Sequence, residues 1–154
     1  MKSLLRKTLV FVLFCTVHFA VNAQSVGTVV GSGSCGTSVQ YQLIVNSNYM
    51  NDANSYTGLT LRIYGKGAMT DYAATSMPWY DKRLSISKVI VEEGVTSVGK
   101  YMCCEHSNLL DVHLPSTLTK IGERAFDCCS SLTVINIPLC CYIHVIKVLL
   151  NCKY

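Results

Sequence analysis

Charge is scarce in this sequence: 14% of its 154 residues are Asp, Glu, Lys or Arg, and Pro occurs three times. So few charges beside 50% apolar residues exclude a disordered polyelectrolyte, because there is enough apolar surface to build a core. A dedicated nucleic-acid binder is excluded too. The formal charge is +4, but no basic cluster interleaved with aromatics is present. Catalytic signatures are missing as well: there is no G-x-S-x-G, no H-E-x-x-H and no P-loop, nor an N-x-[ST] glycosylation acceptor. Gly31-x-Gly33-x-x-Gly36 matches a dinucleotide fingerprint in letters only. That fingerprint needs a helix after it, whereas Val39 to Val45 alternates as a strand does. Cysteine, in contrast, is abundant at nine, which in a secreted chain suggests disulfides or reactive thiols and in a cytosolic one metal or redox chemistry.

The two ends differ from the middle. Residues 1–23 have the layout of a secretory signal peptide, with Lys2, Arg6 and Lys7, then an apolar run from Leu9 to Ala20, then Val21-Asn22-Ala23 at the cut. The mature chain is expected to start at Gln24 and to be secreted or held at the cell surface. Residues 139–154 hold 12 apolar residues of 16, with three Cys and two charges, and show no clear period. Between the ends, residues 24–138 carry eight basic and nine acidic side chains, a net −1, and five Cys. The apparent basic character therefore belongs to the ends and says nothing about a partner.

The middle carries an internal repeat of 23 residues. Ile86, Leu109 and Leu132 share one register position, as do Val89, Val112 and Ile135, and Val91, Leu114 and Ile137. Val95 aligns with Leu118, Val98 with Ile121, and Gly99 with Gly122. The first three sets alternate with polar or mixed residues, which is the period of a strand buried on one face. Spacings of three and four through Leu118, Ile121, Ala125, Phe126 and Cys129 suit a short helical turn or tight irregular coil. Gly99 and Gly122 mark either a positive φ or a close backbone approach. One such repeat is too small to hold a core alone, so successive strands should stack into a parallel ladder.

The run Leu109 to Pro115, followed by Leu118-Thr119-Lys120-Ile121-Gly122-Glu123-Arg124-Ala125-Phe126-Asp127-Cys128-Cys129-Ser130-Ser131-Leu132, resembles the BspA-like leucine-rich-repeat surface proteins. Cys35-Gly36, Leu59 to Ile63, Gly65 to Met69 and Pro78-Trp79-Tyr80 are similar to the region before the repeats in that family. The resemblance implies a leucine-rich-repeat solenoid: a parallel strand ladder, a short helical or irregular convex side, and a β-rich N-terminal cap. The expected layout is a signal peptide over 1–23, a flexible Gly/Ser-rich lead-in over 24–34, the cap over 35–85, repeats over 86–138 and an atypical Cys-rich tail over 139–154. In the cap, strands are expected at Val39–Val45 and Leu59–Tyr64, a loop over Asn46–Ser55, and Trp79 as a plug at the core end of the array.

By the same resemblance the chain is a non-catalytic, adhesin-like module that binds a protein on host or neighbouring cells. Neither a cofactor, a metal, a nucleic acid nor a small-molecule substrate is expected. The binding face follows from alternation: Lys88, Ile90, Asp111, His113, Val134 and Asn136 point away from the core. Two other readings stand beside this one. The tail lacks the apolar and Gly pattern one period after Leu118, Ile121 and Gly122, where Cys141, His144 and Val145 stand, so the array reads as cut short, with a truncated non-functional fragment as the alternative. A small thiol- or metal-dependent protein is the second, because Cys103-Cys104 and Cys128-Cys129 flank His106 and His113. Adjacent Cys cannot easily turn to one metal, and zinc pairs prefer a gap of two to four residues. The resembled family packs the Cys at the position of Cys129 inward, and a disulfide through Cys104 or Cys128 is the other option. Glu92-Glu93 reads as a solvated turn.

Overall fold

The computed structural model describes residues 27–46 and 58–138. The signal peptide expected over 1–23, nearly all of the loop expected over Asn46–Ser55 and the tail expected over 139–154 lie outside the described residues. In chain order the elements are β1 (Val29–Ser34), β2 (Val39–Val45), β3 (Leu59–Gly65), β4 (Gly67–Ala68), a 3-10 helix (Tyr80–Ser85), β5 (Ile86–Val91), β6 (Val95–Val98), β7 (Asp111–His113), β8 (Lys120–Ile121) and β9 (Val134–Asn136). They form a six-stranded sheet in the order β1-β2-β3-β5-β7-β9 and a three-stranded sheet in the order β4-β6-β8. The first two pairings of the large sheet are antiparallel, and from β3 onward every neighbour is parallel. Among the described residues no helix is long and apolar enough to cross a membrane.

The 23-residue step of the sequence is the register of this ladder. Val89 lies opposite Val112 and Val112 opposite Ile135, while in the small sheet Val98 lies opposite Ile121. The recurring apolar positions fill the space between the sheets: Ile86, Val89, Val95, Leu109, Val112, Leu118, Ala125 and Phe126 are buried. Backbone bonds run from coil to coil in both directions. Leu110 N donates to Ser87 O, Thr119 N to Thr96 O and Thr133 N to Leu110 O, whereas Tyr101 N donates forward to Glu123 O and Cys103 N to Ala125 O.

The return half of each coil is irregular, as expected, but its shape is set by residues the sequence did not flag. Tyr101 and Arg124, one period apart, have φ of 57° and 55°, and Glu105 and Cys128 have 62° and 58°. Left-handed residues at these points turn the chain tightly and end any helix. Gly99 and Gly122 are not among the positive-φ residues, so close approach is their reason. A Cβ on Gly99 would sit 2.0 Å from the Thr70 carbonyl oxygen, and one on Gly122 would sit 2.4 Å from the Lys100 amide nitrogen.

One expectation needs correction. The Gly/Ser-rich stretch expected as a flexible lead-in is in its second half an ordered edge strand, β1, paired with β2. Its glycines leave room for large neighbours: Gly31 lies opposite Leu43 and Gly33 opposite Tyr41, and a Cβ on Gly33 would come within 2.9 Å of the Tyr41 ring. Trp79 plugs the core as expected. It is 1% exposed, packs edge-on against Tyr41 and Tyr72, and donates its indole N–H to the Met102 carbonyl at 2.9 Å.

His106 occupies in the first coil the place that Cys129 holds in the second, and it is fully buried. Its Nδ1 lies 2.9 Å from the Cys104 carbonyl, and burial pushes its pKa down from 6.5 to about 4. The unfolded state therefore takes up a proton that the fold excludes. Stability is complete above pH 6.5 and falls by about 3 kcal/mol as the pH drops from 6.5 to about 4. Urea unfolding across this range is expected to show that loss, and His106→Cys should flatten it; an unchanged slope in the variant contradicts the assignment. In the same assay Gly99→Ala and Gly122→Ala are each expected to lose about 2 kcal/mol or more, because backbone must move to admit the methyl group. A loss under about 0.5 kcal/mol, the range of ordinary surface substitutions, would contradict the close approach.

Candidate functional site

The large sheet turns one face to the core and the other outward. Register places Ile44, Thr60, Lys88 and Asp111 in one row across the outward face, with the Val134 backbone next in register, and Gln42, Arg62, Ile90, His113 and Asn136 in the next row. All six expected residues are thus brought together, in two rows of three. Sequence reasoning missed that the rows continue through the cap, where Gln40 and Tyr64 begin a third row. The signal was there: Gln40 and Gln42 alternate with Val39, Tyr41 and Leu43 as the repeat residues alternate with theirs.

Polar contacts tie these side chains together. Lys88 Nζ lies 3.0 Å from Asp111 Oδ2, and His113 Nε2 lies 2.9 Å from the same oxygen. Partial burial pushes the Asp111 carboxyl up, but the hydrogen bonds from Lys88 and His113 outweigh it, so the group sits below its ordinary value. Arg62 donates from Nε to Glu92 Oε1 at 2.6 Å and from a terminal nitrogen to Gln42 Oε1 at 3.0 Å, and it lies over the Tyr64 ring. The bond to Glu92 holds the guanidinium pKa above its ordinary value. Tyr64 in turn donates to Gln40. At the cap end, Asn46 donates to Thr60 and Ser87.

The acidic pair read as a solvated turn is more tightly used than that. Besides the Glu92 contact, the Glu93 carboxylate accepts from Ser116 N, Ser116 Oγ and Thr117 N. The Ser116 backbone bond leads in holding its pKa down. Coil stacking brings Ser116, one period on, beside Glu93, a proximity that composition at the turn itself does not show.

The cysteines are placed for packing. Cys103 and Cys129 are buried, and the Cys129 thiol donates to the Cys103 carbonyl. Burial pushes the Cys103 thiol well up, Cys35 up to about 12 and Cys104 up to about 11, which keeps them protonated. Cys35, Cys103, Cys104 and Cys128 are thiols, not disulfides. Among the described residues no group of three His, Cys, Asp or Glu is placed to hold a metal ion.

Comparison with known proteins agrees with this architecture. Residues 78–153 match the family described as BspA type Leucine rich repeat region (6 copies). Among solved structures, the chain is similar to a leucine-rich repeat protein from Eubacterium ventriosum, at 27% identity and a TM-score of 0.54, over 73% of this chain and 26% of that one. It thus spans about a quarter of that protein's length. A second match is the Leucine Rich Repeat protein of T. pallidum, at 17% identity and a TM-score of 0.33, over 66% of this chain and 59% of that one. No curated protein sequence matches at a significant level. With a 23-residue step in both sequence and ladder, and a family match over residues 78–153, the repeats of this chain are leucine-rich repeats of the BspA type.

Proposed function

We propose that this chain is an exported, non-catalytic protein-binding module, adhesin-like in use, whose outward sheet face holds a protein on a host or neighbouring cell. One observation carries the reading: the outward residues of cap and repeats lie in register on one continuous sheet. An extended sheet face with mixed polar and apolar side chains suits a protein surface. Its ion pairs are part-exposed, with Lys88 and Asp111 side chains 37% and 30% accessible. Such pairs contribute only about 0–1 kcal/mol to folding, so these residues can be changed without unfolding the chain. Export is supported by the leader-like pattern of residues 1–23 and by the kinship with BspA-type proteins.

Two measurements test the reading. Expressed with its own N-terminus in a bacterial host, the chain should appear outside the cytoplasm with Gln24 as its first residue. Retention in the cytoplasm with Met1 intact contradicts export. The purified protein should bind intact cells and lose that binding after protease treatment of the cells. The triple variant Lys88→Ala, Asp111→Ala, His113→Ala should bind about tenfold more weakly or worse, with unfolding free energy within about 1 kcal/mol of the parent. Equal binding by the triple variant contradicts the assigned face.

A further inference from the structure

The two Cys pairs divide by role. Cys103 and Cys129 belong to the core, whereas Cys104 and Cys128 lie on consecutive coils, Cys104 buried and Cys128 exposed. Cys128 is the exposed cysteine among the described residues and has φ of 58°. Cys104 is 5% exposed, and its thiol feels the field of Asp127, Glu105, Cys128 and Arg124. Glu105 N donates to Asp127 O at 2.9 Å, which joins the peptide unit 104–105 to the unit 127–128. That bond sets Cys104 and Cys128 on facing peptide units of adjacent coils, one residue out of register. A disulfide spans Cα separations of roughly 4.4–6.8 Å.

We propose that Cys104 and Cys128 form a thiol–disulfide site that staples the first coil to the second on their return side. The oxidant is a small disulfide of the glutathione class. The Cys128 thiolate attacks one sulfur of that disulfide; the S–S bond breaks, a mixed disulfide forms on Cys128, and one glutathione thiolate leaves. Cys104, its proton lost to solvent, attacks the Cys128 sulfur, and the second glutathione thiolate leaves. Two protein thiols are oxidised, one glutathione disulfide is reduced to two thiols, and the two protons released end on the leaving thiolates. Burial holds the Cys104 thiol at about 11, so the second step quickens as pH rises and the mixed disulfide precedes the staple.

The experiment uses the full chain, purified reduced, incubated with oxidised glutathione, quenched in acid and mapped by peptide mass spectrometry. Its outcome does not depend on where the protein resides, so it stands apart from the export test. The expected product is a Cys104–Cys128 cross-link formed faster at pH 9 than at pH 7, with a melting temperature raised by roughly 10 °C. Cys104→Ser should stop at glutathione on Cys128, and Cys128→Ser should give neither species. A parent chain that stops at the mixed disulfide, links Cys128 to another cysteine, or gains no melting temperature overturns the proposal.

Discussion

Backbone hydrogen bonds between coils are the constraint on which the rest of the structure depends. A coil of this size directs its peptide groups along the axis of the array, and only a neighbouring coil can satisfy them. The bonds from Leu110 to Ser87, Thr119 to Thr96 and Thr133 to Leu110 run one way, and those from Tyr101 to Glu123 and Cys103 to Ala125 run the other. Each is made only at one separation of the coils. That separation leaves no space for a Cβ at Gly99 or Gly122, and it brings Ser116 and Thr117 under the Glu93 carboxylate. The inward apolar residues fill the interior that this spacing defines, and the outward rows are its by-product on the other face.

The cap solves the problem of starting such a ladder. An array needs a first edge, and an open parallel edge is a template for unwanted pairing. Here β3 takes parallel β5 on one side and antiparallel β2 on the other, and β1 closes the hairpin with a glycine-rich strand. On the return side, Gly67, Met69 and Tyr72 donate to carbonyls of the first coil. Trp79 then locks the two parts together by reaching Met102 across the core. Because cap and array share one sheet, they also share one outward surface, which is why Arg62 pairs with Glu92 across that junction.

Much of this was legible in the residues, for a physical reason. Strand alternation and a fixed period are direct consequences of burial, so Val89, Val112 and Ile135 announced their ladder, and Lys88, Asp111 and His113 their exposed face. What escaped were features that depend on neighbours distant in sequence. The glycines of β1 read as flexibility because their reason, the Leu43 and Tyr41 side chains opposite, lies across a hairpin. Left-handed turns at Tyr101, Glu105, Arg124 and Cys128 use residues with no preference for that conformation, so tertiary packing alone sets them. The small sheet of β4, β6 and β8 is two to four residues wide, too short to leave a period. The burial of His106 shows only when its register position is matched to Cys129 and the depth of that position is known.

The most direct test of the central claim is native-state amide hydrogen exchange. If coil-to-coil bonding holds cap and array in one cooperative unit, the amides of Leu110, Thr119 and Gly122 will be protected alongside those of β2 and β3. Those amides would then exchange through a common opening free energy. Contradiction would be coil amides exchanging at the rate of exposed loops while the β2–β3 amides stay protected, for then the 23-residue step would be a pattern of sequence without a bonded ladder behind it.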